Sequence, residues 1–249
     1  MAELSSIDKS INRRKTALVT GASSGIGKAT AQALAQADFG VALVARSQMK
    51  LEALASELKA SGGQAKAFAI DLAEVDQVRE KIEGVIAAFG PVDVLVNCAG
   101  MGYTGALSDM PLADWQSVMT LNVTSIFQVV QAALPGMRDR GVGTIVNIAS
   151  IAAQQSFADW GAYGVSKAAL VALSNAIASE ESMHGIRVIT ISPGAVNTPI
   201  WDSDTVQTTF DRSLMLSPDT VAQTILQTIL IPPDAVISHL TITPSNGAL

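Results

Sequence analysis

The stretch "TGASSGIG", Thr20 to Gly27, joins a β-branched run, Thr16–Thr20, to an Ala-rich one with helical patterning over 25–37. Each glycine is read by what it permits. Gly21 lets the chain turn tightly out of the strand. Gly25 and Gly27 let a pyrophosphate approach the backbone and let the helix pack close to the sheet. The N-terminus of that helix presents unpaired N–H groups and a partial positive charge to phosphates. A glycine cluster alone is weak evidence, and a glycine-rich turn with no ligand is the alternative. The setting makes the pattern point to a dinucleotide: a strand before it, a helix after it, inside a βαβ unit.

Outward from this turn, short β-branched runs alternate with longer helical patterns. Strands are predicted at 16–20, 40–45, 65–70, 92–96, 144–149, 186–192 and 240–243, and helices near 25–37, 47–60, 74–89, 111–137, 162–183 and 217–230. The strand runs are continuously apolar rather than alternating, the mark of a parallel sheet covered on both faces. Strict β-α alternation gives an α/β fold: one Rossmann-like doubly wound domain over 1–249, with a mostly parallel seven-stranded sheet and helices on both faces. Residues 1–14 are expected to be a flexible N-terminus. Ser217-Pro218-Asp219 reads as a helix start, with Ser as N-cap and Pro in the first turn. The stretch 193–216 has no clear element and is expected to serve as a substrate lid.

Composition narrows the function classes. The 249 residues are 49% hydrophobic and 15% charged, with a net charge of −6. An acidic balance argues against nucleic acid and anionic membrane surfaces as partners. The single cysteine, Cys98, excludes an internal disulfide, and with two distant histidines it forms no metal constellation. The N-terminal residues MAELSSIDKSINRRK lack an apolar core before their basic residues, so they do not read as a secretory signal. The long uncharged run from Asp114 to Arg138 carries eight Ser, Thr, Asn and Gln residues, which reads as too polar for a bilayer span. A soluble, cytoplasmic protein is expected.

The glycine spacing is Gly-x-x-x-Gly-x-Gly. With the motifs that follow, this resembles the short-chain dehydrogenases/reductases over nearly the whole chain, from Thr16 to about Thr243. The resemblance implies an enzyme with a nicotinamide cofactor held by Gly21, Ser23, Ser24, Gly25, Ile26 and Gly27. At the tip of the second strand an acidic residue would accept the 2′-hydroxyl of NAD. Ala45 stands there and Arg46 follows, a guanidinium able to grip a 2′-phosphate, with Ser47 able to add a bond. The family's NADP-preferring type is therefore implied, and NADP(H) is the expected cofactor. The family's other basic position is occupied by Ser24, so Arg46 must discriminate largely alone. Arg46 read simply as a solvated strand-end charge is the alternative. Asp71 and Leu72 are implied to flank the adenine, although Asp71 equally reads as a helix N-cap. "NCAG", Asn97 to Gly100, resembles the family's Asn-Asn-Ala-Gly and contributes Asn97, Ala99 and Gly100 beside the cofactor, chiefly as a brace. Cys98 reads as a small buried hydrophobe. "SPGAVNTP", Ser192 to Pro199, resembles the family's Pro-Gly motif and implies that Pro193, Gly194, Val196 and Thr198 hold the carboxamide.

"GAYGVSKAAL", residues 161 to 170, sets Tyr163 four residues before Lys167 on one face of an apolar helix. A free phenol, with pKa near 10, is a poor base. A nearby ammonium and an oxidised nicotinamide are expected to lower that value towards working pH. Ser150, thirteen residues before Tyr163, and Asn122 in "LNVTSIF" complete the family's catalytic set. By resemblance Tyr163 donates the proton and Lys167 holds the ribose. Ser150 steadies the substrate oxygen, and Asn122 extends a proton relay through water. Asn122 taken alone reads equally as a helix–helix contact.

The expected reaction moves a hydride between nicotinamide and a carbonyl or secondary alcohol. Pocket walls are expected from 101–107, 151–160 and 199–216, with Met101, Tyr103, Gln154, Phe157, Trp160 and Trp201 as linings. These suggest a mostly apolar carbonyl substrate. The ending "SHLTITPSNGAL" lacks the "TGQ" and "DGG" usual in β-ketoacyl-carrier-protein reductases. It looks more like a broad-range hydroxy-acid or carbonyl reductase. A silent dinucleotide sensor would be expected to lose the Tyr or Lys, and nucleotide-sugar epimerases to be longer. Weakly charged helices at 111–137 and 162–183 imply a homodimer or homotetramer.

Overall fold

The strand TALVT, Thr16–Thr20 (β1), is buried at all five positions. A strand with both faces covered must lie inside a sheet flanked by helices. The computed structural model describes residues 13–208 and 210–245. In it β1 is joined by β2 (Gly40–Ala45), β3 (Gln64–Ala69), β4 (Val94–Asn97), β5 (Gly143–Ile148), β6 (Ile186–Pro193) and β7 (His239–Ile242). All pairs are parallel, in the order β3-β2-β1-β4-β5-β6-β7. The expected strands are therefore all present, β1 and β2 with the expected bounds and the others with ends displaced by at most two residues.

Strand order reverses between β1 and β4. Loops leaving their C-terminal ends diverge there and open a crevice. The register sets Thr20 of β1 beside Asn97 of β4, so the glycine turn and the Asn97–Gly100 segment share one end of the sheet.

Helices α1 (Gly25–Gln36), α2 (Gln48–Ala60), α3 (Val75–Phe89), α4 (Leu112–Met119), α5 (Ser125–Arg140), α6 (Gly161–Glu181) and α7 (Pro218–Leu230) cover the sheet. One core layer packs Leu34, Leu51, Leu54, Val221 and Ile225 on the sheet. The opposite layer packs Val78, Ile82, Ile126, Val130 and Leu170. α7 begins as expected, with Ser217 Oγ accepting from Thr220 N at 3.0 Å and Pro218 following.

Of the expected flexible segment, residues 1–12 lie outside the described residues, while Arg13 is paired with Asp93 and Arg14 with Asp38 at 2.7 Å. Two expectations change. The expected single helix over 111–137 is two helices joined by a π-turn at Thr120–Thr124. It continues to Arg140, where Gly141 adopts the left-handed conformation (φ 64°). Within the run Leu112–Arg140 an 18-residue stretch is also apolar enough to cross a bilayer by length and composition, with mean hydropathy 1.3. Its polar residues are thus no argument against a span. Its apolar side chains, Val118, Ile126, Val129, Val130 and Met137, are instead committed to this core.

Candidate active site

The turn after β1 is built around its missing side chains. Gly21 has φ 66°, and a Cβ there would lie 2.9 Å from Ala99 N. Gly25 has φ 53°, and its Cβ would lie 3.1 Å from the Thr198 side chain. A Cβ on Gly27 would run into the Gly21 carbonyl. Any side chain at these positions would fill or deform the cradle. Ser24 is the N-cap of α1, yet its side chain makes no capping bond, and the first turn holds no acidic residue. The helix N-terminus is thus left to bind an anion from outside the chain.

This turn forms one wall of a cavity of about 780 Å³ along the C-terminal ends of the strands. Every residue assigned from sequence to catalysis or to the cofactor lines it except Asn97 and Asn122. Both of those stand behind the wall. Asn97 Nδ2 donates to Asn147 Oδ1 at 2.8 Å, and Asn147 Nδ2 donates to Ser174 Oγ at 2.8 Å. This buried chain ties β4, β5 and α6 together, so Asn97 braces the sheet and does not touch the cavity. Asn147 was signalled only as a polar residue inside an apolar strand. Cys98 packs against the core, and burial pushes its thiol up to about 12. It is protonated and inert at neutral pH.

At the far end of the cavity Arg46 is exposed, and Ser47 caps α2 by accepting from Lys50 N at 3.5 Å. Lys50 lines the same end, so Arg46 is not alone there. A lysine in the first turn opposes the helix dipole, at a cost of roughly 0.3–1 kcal/mol. A bound anion would offset that cost. Asp71 is not a helix cap. Its Oδ1 accepts from Ala73 N at 3.0 Å, and the N-cap of α3 is Glu74.

The catalytic end is assembled by β5 and α6. β5 ends at Ile148, and Ser150 follows in extended backbone, its Oγ accepting from Ala152 N at 3.1 Å. Tyr163 sits in the first turn of α6 and Lys167 one turn later. Lys167 Nζ is buried and donates to Ile148 O at 2.8 Å. That carbonyl explains how an ammonium is accommodated on an apolar helix. With no carboxylate against it, burial lowers the Lys167 pKa to about 8. Without the nicotinamide's charge, Tyr163 shifts the other way. Burial raises its pKa, and the Ser150 hydroxyl offsets this only in part. Lys167 Nζ is directed to Ile148 O and lies 5.7 Å from the phenol ring centroid, too far to overcome the loss of solvation. The chain's own groups therefore keep Tyr163 protonated at neutral pH, as a proton donor.

Asn122 lies in the π-turn, a helix irregularity often found at functional sites. Its Oδ1 accepts from Met101 N at 2.8 Å, and its Nδ2 donates to Met101 O at 2.9 Å and to Ser166 Oγ at 3.0 Å. The side chain is fully engaged as a clamp on the 101–102 backbone and on α6.

The third wall differs in part from expectation. Met101, Phe157, Trp160 and Trp201 line the cavity. Tyr103 does not; its hydroxyl donates to Asp114 Oδ2 at 2.9 Å. Gln154 also faces away, with Nε2 2.9 Å from His239 Nε2. Ile200 and Phe210 also line the cavity; they fall in the expected 199–216 wall but were not singled out. The 193–216 segment is closed at its base by a Val196–Leu216 bridge and pinned to the opposite loop by Thr205 Oγ1 donating to Gly102 O at 2.7 Å. Arg212 clasps it internally, through Asn197 Oδ1 at 2.8 Å and Asp202 Oδ1 at 2.6 Å.

Comparison with known proteins follows this geometry. The family profile described as short chain dehydrogenase matches residues 15–208. A short chain dehydrogenase of Pseudocercospora fijiensis is 37% identical over 204 residues, covering 81% of this chain and 66% of the relative, just under two thirds of its length. D-threitol dehydrogenase of Mycolicibacterium smegmatis is 39% identical over 192 residues, covering 76% of this chain and 74% of the relative. The crystal structure of an alcohol dehydrogenase from the archaeon Thermococcus sibiricus, complexed with 5-hydroxy-NADP, matches with TM-score 0.86 at 28% identity over 95% of this chain and 99% of that one. A variant of actinorhodin polyketide ketoreductase with NADPH matches with TM-score 0.84 at 31% identity, over 95% and 98%.

Proposed function

The chain belongs to the short-chain dehydrogenase family, and from that premise we propose an NADP(H)-dependent oxidoreductase interconverting a carbonyl and a secondary alcohol. One observation carries the reading: Ser150, Tyr163 and Lys167 line one end of a cavity whose other walls are a glycine cradle and a pair of cations. The cradle fits a pyrophosphate, because Gly21, Gly25 and Gly27 leave backbone free to approach it and α1 offers an uncapped N-terminus. The nicotinamide, when bound, supplies the hydride chemistry. Pro193, Gly194, Val196 and Thr198 would hold its carboxamide, and Asp71 and Leu72 would flank the adenine at the other end of the dinucleotide. Tyr163 gives its phenolic proton to the developing alkoxide. Ser150 donates a hydrogen bond to that oxygen, and the Lys167 ammonium stabilises the phenolate left behind. Asn122 holds Met101 and α6 in register around them.

Arg46 and Lys50 support NADPH over NADH. A charge-assisted hydrogen bond contributes roughly 1.5–3 kcal/mol, so NADPH should be favoured by about one to two orders of magnitude in kcat/KM. Arg46→Ala should weaken NADPH and spare NADH, Arg46→Ala with Lys50→Ala should go further, and Arg46→Ala with Ala45→Asp should invert the preference. The check is kcat/KM for both cofactors at one salt concentration, since the contact is ionic. A parent enzyme that prefers NADH, or an equal loss with both cofactors, contradicts the assignment.

Assembly is the second expectation. Phe127 on α5 and Val165 on α6 are 41% and 44% exposed, on the helices whose weak charge suggested pairing. A closed dimer or tetramer buries them. Light scattering at micromolar concentration should give the dimer or tetramer mass; a monomer mass contradicts this.

A further inference from the structure

The substrate end of the cavity carries a chemical bias that the reaction class does not require. Trp160 lies edge-on to Tyr163, with centroids 5.3 Å apart. Trp201 lies edge-on to Trp160 at 5.5 Å, and Phe210 stacks on Trp201 at 6.0 Å. The rings form a continuous row that starts at the proposed proton donor. Aromatic residues are only 4% of the chain, yet two of its three tryptophans and one of its two tyrosines are in this row. The row is held in place. Trp201 Nε1 donates to Val196 O at 2.7 Å, and the surrounding segment is clasped by Arg212. Apart from Lys167, the charged residues lining the cavity are Arg46, Lys50 and Asp71, all at the opposite end. Arg212, the nearest guanidinium on the lid, already has partners in Asn197, Asp202 and the Thr198 carbonyl.

We propose that the substrate is a neutral ketone or aldehyde bearing a flat aromatic ring, its carbonyl at Tyr163 and its ring against Trp160 and Trp201. This rests on the reductase reading and narrows it. A carbonyl held at the Tyr163 hydroxyl places its substituent along the row. An aromatic contact contributes roughly 0.5–1.5 kcal/mol beyond area burial, or about 2- to 12-fold in affinity. A carboxylate or phosphate lying along the row would be buried away from Lys167 with no other cation lining that end, which proteins strongly disfavour. A polyhydroxylated chain would meet Ile200, Trp160 and Phe210, with only Ser203 and Thr208 as polar side chains of that wall, and the Ser203 hydroxyl already donates to Ile200 O at 2.8 Å. Hydroxy acids, which the C-terminal sequence suggested, therefore fit this wall poorly.

The test uses two readouts. The first is kcat/KM with NADPH for four substrates: acetophenone, cyclohexyl methyl ketone, phenylglyoxylate and an open-chain ketose. Acetophenone should exceed the cyclohexyl analogue several-fold and the other two by on the order of 100-fold. The second is quenching of tryptophan fluorescence by acetophenone in Trp115→Phe protein, whose remaining tryptophans are Trp160 and Trp201. Phe210→Ala and Trp201→Leu should each erase the preference for the aryl ketone, and Phe210→Ala should leave NADPH affinity intact. Equal rates for the aryl and cyclohexyl ketones, or preference for phenylglyoxylate, overturn the inference while the reductase reading stands. Quenching by acetophenone without reduction of any of the four overturns the aryl ketone as substrate and leaves the aromatic subsite; the reductase reading falls with it only when no other ketone is reduced by NADPH either. Absence of quenching together with unchanged selectivity in both variants overturns the subsite itself.

Discussion

Tyr163→Phe lowers turnover by a factor on the order of 10² to 10⁴ and leaves NADPH affinity essentially unchanged. Positioned proton transfer contributes about that much, and the substitution removes only the phenolic oxygen. The ring remains, edge-on to Trp160 at 5.3 Å, so the aromatic row and the fold persist. A direct comparison of kcat with NADPH titration by fluorescence separates the two effects. Because burial raises the Tyr163 pKa, the parent enzyme's carbonyl reduction should show no loss from Tyr163 ionisation at neutral pH. Substantial residual turnover in Tyr163→Phe would mean that the proton comes from elsewhere, and Ser150 would be the group left to examine.

Lys167→Met is expected to abolish turnover, weaken NADPH, and make the protein more stable at pH 7. The lysine's folded pKa lies near 8, lowered from an ordinary 10.5 by burial. The folded protein thus binds fewer protons than the unfolded chain between about pH 8 and 10.5. Stability contributed by this residue rises with pH across that window, and its full cost is present below pH 8. The pKa difference corresponds to an upper limit of about 3 kcal/mol, of which loss of the Ile148 hydrogen bond takes back roughly 1 kcal/mol. Thermal denaturation should give a Tm higher by on the order of 5 °C at pH 7. The gap should close as the pH approaches 10. A lower Tm at pH 7 would mean that the ammonium–carbonyl contact outweighs desolvation, and would remove the argument that function keeps this charge inside.

How far the site could be read from sequence depended on whether a fixed period governed it. Tyr163 and Lys167 share a face because a helix repeats every 3.6 residues, and Gly21, Gly25 and Gly27 follow from the geometry of one strand–turn–helix. Continuous apolar strands implied the parallel sheet, but strand order reflects long-range pairing that no local pattern carries. Lys50 was hidden because its role arises in the first turn of α2, where it lines the same end as Arg46. The π-turn at Asn122 inserts one residue into a helix whose composition gives no sign of it. Tyr103, Gln154 and Phe210 lie in loops. There no period states which way a side chain points, so two were assigned to the cavity and face elsewhere, and one was overlooked. For the chain's own groups the Tyr163 pKa runs the other way, because spacing reports that an ammonium is near but not where Nζ is directed. Ile148 O had already engaged it.

The central claim is that this chain moves a hydride between NADPH and a carbonyl with Tyr163 as proton donor. The most direct measurement mixes the protein with 4-deuterated NADPH and acetophenone and follows nicotinamide absorbance and alcohol product together. The account predicts one alcohol per NADPH oxidised, deuterium on the carbinol carbon from one face of the nicotinamide, and collapse of the rate in Tyr163→Phe. NADPH binding with no deuterated alcohol from acetophenone or from any other ketone would contradict it.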